Sequence, residues 1–108
     1  MAETLMQYQE RLTGPEGRTY GARACGRPAP EGGWEGWIEF VPADGLPVLR
    51  SRRETWQPNR VDLVYWATGL TPVYLEGSLD RTLNPPQRAE PEILPEPAYE
   101  GPAPDFLR

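Results

Sequence analysis

Two carboxylates, one thiol and a run of guanidinium groups are the side chains in this 108-residue chain whose types could do chemistry. Glu35 and Glu39 stand four apart in "GGWEGWIEF", residues 32–40, and a carboxylate pair is common equipment for general acid–base work. On a strand, the reading argued below, their backbones lie about 13 Å apart, wider than paired glycosidase carboxylates require. A solvated or salt-bridged face suits that spacing better. Cys25 is the one cysteine, and the chain has no histidine to activate it as a nucleophile. It reads as a small strand residue, the usual state of a free thiol. Without histidine the serine triad and histidine-containing zinc sets are missing, and a single cysteine gives no zinc cluster. Glycine-rich phosphate loops are missing too. The expectation is a protein without catalytic residues, cofactor or metal.

The guanidinium groups point to binding instead. Arg50, Arg52 and Arg53 cluster beside Trp56, and a hairpin brings Trp37 towards Arg52. Arginine with exposed aromatic rings suits either a protein interface or a nucleic-acid surface that stacks bases and meets phosphates. Charge separates the two readings. Residues 18–84 carry eight arginines against eight acids, and both flanks are acidic within a net charge of −5, the wrong footprint for a general nucleic-acid binder. A protein partner or self-association is therefore preferred. Nucleic acid is the disfavoured alternative, and against it the simplest role for the arginines is cross-strand pairing with Glu35, Glu39 and Glu54.

The elements that must position these residues follow from periodicity. Leu5, Tyr8 and Leu12 have helical spacing, which predicts a short helix over residues 3–12 within an N-terminal segment 1–17. Tyr20, Ala22 and Ala24 alternate with Gly21, Arg23 and Cys25, a half-buried strand. "GRPAPEGG" is a loop. Three glycines in residues 32–36 would weaken a helix by about 1 kcal/mol each, so the next segment is a strand. Trp34, Gly36, Ile38 and Phe40 then share the inner face, while Trp37 points outward among glutamates. "PADGLP" turns the chain into a third strand. Pairing Val41 with Val48 sets Phe40 against Leu49, Glu39 against Arg50 and Trp37 against Arg52. Asn59 caps a helix that Gly69 ends in a left-handed conformation, and Thr71 with Pro72 starts another. Leu75, Leu79 and Leu83 line the core side of that second helix. The predicted fold is α+β, with residues 18–84 forming a small three-stranded antiparallel sheet and two short helices packed on one face.

Seven of the 14 prolines follow Asn84, so residues 85–108 form an extended, proline-rich tail. It holds five acids against two arginines. Yet Ile93, Leu94, Tyr99, Phe106 and Leu107 recur as apolar beads, which a purely solubilising tail does not need. The expectation is a docking strap for the chain's own sheet, a second copy or another protein. No apolar run approaches the roughly 18 residues that cross a bilayer, and the start carries no secretory pattern, so the expected location is the cytoplasm.

From Trp34 to Leu83, "WEGWIEF" followed by "PVLRSRRETWQPNRVDLVYWATGLTPVYLEGSLDRTL" resembles a group of short bacterial proteins to which no activity is assigned. The strand-strand-strand-helix order is also loosely similar to antitoxin domains of the HicB type, a likeness of topology that carries no function by itself. The leading expectation is a non-enzymatic interaction module or accessory subunit. The alternative is a regulatory, antitoxin-like or nucleic-acid-binding protein using Arg50, Arg52 and Arg53.

Overall fold

The computed structural model describes residues 2–85. Among these residues five strands and two helices follow one another: β1 (Glu3–Thr13), β2 (Thr19–Pro28), β3 (Trp34–Pro42), β4 (Leu49–Arg50), β5 (Thr55–Gln57), α1 (Arg60–Thr68) and α2 (Pro72–Leu83). All pairings are antiparallel, in the order β1-β2-β3-β4, with β5 also pairing with β3. The α+β class agrees with expectation, and the sheet has five strands rather than three. The tail residues Ile93, Leu94, Tyr99, Phe106 and Leu107 lie outside the described residues.

The first difference is at the N-terminus, where residues 3–13 form a strand and not a helix. Its register explains the helical spacing. Between Thr4 and Met6 two steps of β1 oppose one of β2, and between Tyr8 and Leu12 four steps oppose two. Such bulges insert extra residues and shift the alternation of side chains. Met6, Tyr8 and Leu12, opposite Ala24, Ala22 and Tyr20, all reach the inner face. The Tyr8 hydroxyl donates to the Ala67 carbonyl at 2.5 Å and so fastens β1 to α1.

β2 and β3 pair without interruption from Tyr20↔Pro42 to Pro28↔Trp34. On their inner face Ala22, Ala24, Ile38 and Phe40 form one cluster with Ala67, Leu75 and Leu79 of the helices, as the alternation predicts. Gly26 and Gly36 are directly paired on that face. A Cβ on Gly26 would collide with the Leu63 side chain, and one on Gly36 would lie 2.8 Å from Leu63 and 2.9 Å from Trp66. The two glycines form the floor on which α1 rests, a close approach that glycine alone permits.

Asn59 caps α1 by accepting from the Asp62 N–H at 2.9 Å, and Thr71 caps α2 by accepting from the Tyr74 N–H at 3.2 Å. Both caps fall where the sequence places them. Gly69 does separate the helices, but at φ −94° and ψ −1°. Its backbone is right-handed, contrary to expectation, because its N–H bonds back to the Trp66 carbonyl at 3.1 Å in a tightened last turn. No helix among the described residues is long and apolar enough to cross a membrane.

Candidate functional site: an ion-paired sheet face and an arginine groove

The outer face of the sheet is built from alternating residues of β2 and β3 and their neighbours. Arg23 stands opposite Glu39, Cys25 opposite Trp37, and Arg27 opposite Glu35. The first and third pairs are ion pairs, at 2.9 Å and 2.6 Å. Arg53 adds a second cation to Glu35 at 3.0 Å and reaches Glu31 at 2.6 Å. Hydrogen bonds from Arg27 outweigh the burial of Glu35, and with those from Arg53 they hold its carboxyl below its ordinary range. The two glutamates are thus structural acids, each neutralised by arginine.

Trp37 lies at the centre of this ladder. It occupies the outer face, as expected, but it is only 2% exposed, which corrects the prediction of a solvent-facing ring. The reason is the guanidinium cover. Arg50 sits 4.0 Å and Arg27 5.2 Å from the ring centre, both in cation–π range. The indole N–H donates to Glu39 at 3.0 Å. Long arginine stems can bury an aromatic ring while their heads stay wet. Cys25, across from Trp37, is buried, and burial together with the Glu39 carboxylate pushes its thiol pKa up. A raised thiol pKa suits the structural reading and not a nucleophile.

The hairpin register holds for Phe40↔Leu49 and Glu39↔Arg50 but not for Trp37 with Arg52. Further along, Gly36 pairs with Thr55 and Glu35 with Trp56, so two extra residues are accommodated within Ser51–Glu54. Ser51 makes this break stable. Its N–H donates to the Ile38 carbonyl at 2.8 Å, and its hydroxyl accepts from the Ile38 N–H at 3.0 Å. The excursion moves Arg52 away from Trp37 and sets it over the neighbouring helix.

There it helps to line an open groove of about 410 Å³, whose walls are Arg50, Arg52, Arg53, Glu54, Arg81, Thr82 and Pro85. Four of these seven residues are arginines. The one acid is engaged at the groove's base: Glu54 accepts from Tyr74, from Ser78 at 2.9 Å and from Arg81 at 3.3 Å. Burial, reinforced by Glu54, pushes the Tyr74 phenol up to about 12, so it stays a donor at neutral pH. The base is therefore a polar cluster that ties α2 to the segment before β5.

The structure thus brings Arg50, Arg52 and Arg53 together in the groove, whose lining does not include Trp56. The Trp56 ring lies against Gly33 and donates to the Gly32 carbonyl at 2.8 Å, leaving it 45% exposed. Arg81 and Thr82 enter the groove unforeseen. A signal for Arg81 was present, since Tyr74, Ser78 and Arg81 form a polar i, i+4, i+7 stripe on α2. No comparable signal marks Glu54, whose role depends on the excursion before β5.

No family model matches the chain, and neither the curated proteins nor the solved structures provide a match. Among the described residues no three of Cys, Asp and Glu gather where a metal ion could be held.

Proposed function

We propose that this protein is a non-enzymatic interaction module, an accessory subunit or adaptor, which receives an acidic protein segment in its arginine groove. One observation carries the reading. Of the nine arginines in residues 2–85, six pair with a carboxylate: Arg18, Arg23, Arg27, Arg53, Arg60 and Arg81. The other three, Arg11, Arg50 and Arg52, have no such partner among the described residues; Arg11 stands on β1, and Arg50 and Arg52 lie together in the groove. In a chain of net charge −5, leaving two nearby cations unneutralised favours an anionic visitor. Exposed ion pairs contribute only about 0.2–1 kcal/mol each, so both cations acting together matter, and arginine's planar fork suits a carboxylate. The unpaired, buried Cys25 supports a cytoplasmic setting, where thiols stay reduced.

Phosphate would satisfy the same guanidinium groups, so nucleic acid is the competing ligand. Two features favour protein. The Trp37 ring is covered and offers no stacking surface, and the remainder of the chain repels a polyanion. A titration of the full-length chain followed by backbone amide signals decides the matter. A synthetic peptide of alternating glutamate and leucine should shift Arg50, Arg52, Arg81 and Thr82, and the variant Arg52→Glu, which leaves the Arg50 cover of Trp37 in place, should weaken that binding at least tenfold. Shifts produced by a single-stranded oligonucleotide and not by the peptide would transfer the groove to the alternative reading.

A further inference from the structure

We infer that the groove's resident occupant is the chain's own C-terminal segment, residues 86–108, docked in cis so that an acidic partner must displace it. This rests on the reading of the groove as a site for acidic segments. Three observations carry the step from site to occupant. The first is position. α2 ends at Leu83, and Pro85, where the described chain stops, is itself part of the groove wall. The segment that follows starts at the site and needs no path to reach it.

The second is charge. That segment holds Glu90, Glu92, Glu96, Glu100 and Asp105 against Arg88 and Arg108, and of the groove's four arginines Arg50 and Arg52 have no carboxylate among the described residues, while Arg53 and Arg81 are ion-paired. Glu90 lies five residues beyond Pro85, a reach of up to about 17 Å when extended.

The third is the apolar complement. Leu49 and Arg50 are consecutive in β4 and therefore serve opposite faces. Arg50 lines the groove, and Leu49 lines a second, mainly apolar hollow of about 230 Å³ with Arg18, Tyr20, Pro42, Leu46, Pro47 and Leu83. Leu46 of this hollow, and Val48 next to its Pro47 in the chain, are close to half exposed. One end of the molecule thus offers a cationic site and an apolar site on either side of the point where the chain leaves. The departing segment carries acids interleaved with Ile93, Leu94 and Tyr99, the matching pair of chemistries.

Tethering selects the chain's own segment over that of a second copy. A short flexible linker gives an effective concentration in the millimolar range, far above the micromolar concentration of another molecule. The prolines further reduce the freedom lost on docking. A partner competing with the docked segment binds with an affinity reduced by the fraction of open groove, so the segment sets a threshold for partner capture.

The test uses the full-length chain and its variant Glu90→Gln/Glu92→Gln/Glu96→Gln/Glu100→Gln, whose changes lie outside residues 2–85. Amide signals of Arg50, Arg52, Arg53, Arg81 and Thr82 should differ between the two proteins. A synthetic peptide of residues 86–108 should bind the variant at least tenfold more tightly than the unaltered chain. Equal binding to both, at the groove, would leave the groove reading intact and overturn the cis occupant. Binding to neither would overturn the groove reading with it. Signal differences that grow with protein concentration would assign the segment to a second copy and overturn docking in cis.

Discussion

The two faces of the central sheet bury the same strands by opposite means. On the inner face Ile38 and Phe40 are sealed by the apolar side chains of α1 and α2, with Gly26 and Gly36 letting α1 come close. On the outer face no helix of the described residues arrives, yet Trp37 is as well covered as the inner residues, beneath arginines of which Arg27 is itself fixed by a glutamate. The lesson is that an alternating strand need not have a wet side. A row of arginine stems can close the second face of a sheet in a domain too small for a second layer. It also separates arginines with a structural task from those without one.

Substitutions can break or sharpen this contrast. The largest loss should come from the inner face: Phe40→Ala should cost about 4 kcal/mol in urea melts, the usual range for emptying a core aromatic site. Trp37→Ala should follow at about 3 kcal/mol, because flexible arginine stems can partly collapse into the space, and a loss below about 1 kcal/mol would mean that the outer face is not a core at all. Trp34→Ala, at a position only partly buried, should cost less than either. Gly26→Ala should cost about 1–3 kcal/mol through overpacking against Leu63.

Acid should act on the outer face first. The Glu35 carboxyl lies below its ordinary value of 4.5, principally through Arg27. A depressed carboxyl stabilises the fold fully above its unfolded-state pKa and loses that contribution as pH falls through the folded one. Thermal stability should therefore decline below about pH 4.5, and Glu35→Gln should flatten that decline while lowering stability at pH 7. The smallest effect belongs to the helix junction. Gly69 is right-handed, and a methyl group there would meet only ordinary van der Waals contacts, so Gly69→Ala should be neutral or stabilising by up to about 1 kcal/mol. A loss above about 1 kcal/mol would require the left-handed geometry that the sequence suggested.

Much of the inner face was legible because it follows a period: Tyr20, Ala22, Ala24, Ile38 and Phe40 alternate, and Asn59, Thr71 and Pro72 mark helix starts with specific backbone chemistry. The failures share a cause. Extra residues in β1 and between Ser51 and Glu54 break the period of two, so Leu5, Tyr8 and Leu12 imitate a helix and Arg52 is assigned to the wrong neighbour. Alternation also says which face Trp37 occupies but not whether other side chains will cover it. The three arginines of the candidate site were visible as a cluster. Their fourth companion, Arg81, could be placed only once α2 was seen to lie against the excursion.

The central claim is that Arg52 is available for a ligand while the other face arginines hold the fold, and the affinity of the Arg52→Glu variant for an acidic peptide tests it most directly. Arg52 pairs with no carboxylate among the described residues, so an exposed change there should leave the melting behaviour within about 0.5 kcal/mol of wild type. Calorimetric titration with the glutamate–leucine peptide should then show at least a tenfold loss of affinity. Unchanged affinity in a normally folded variant would contradict the account.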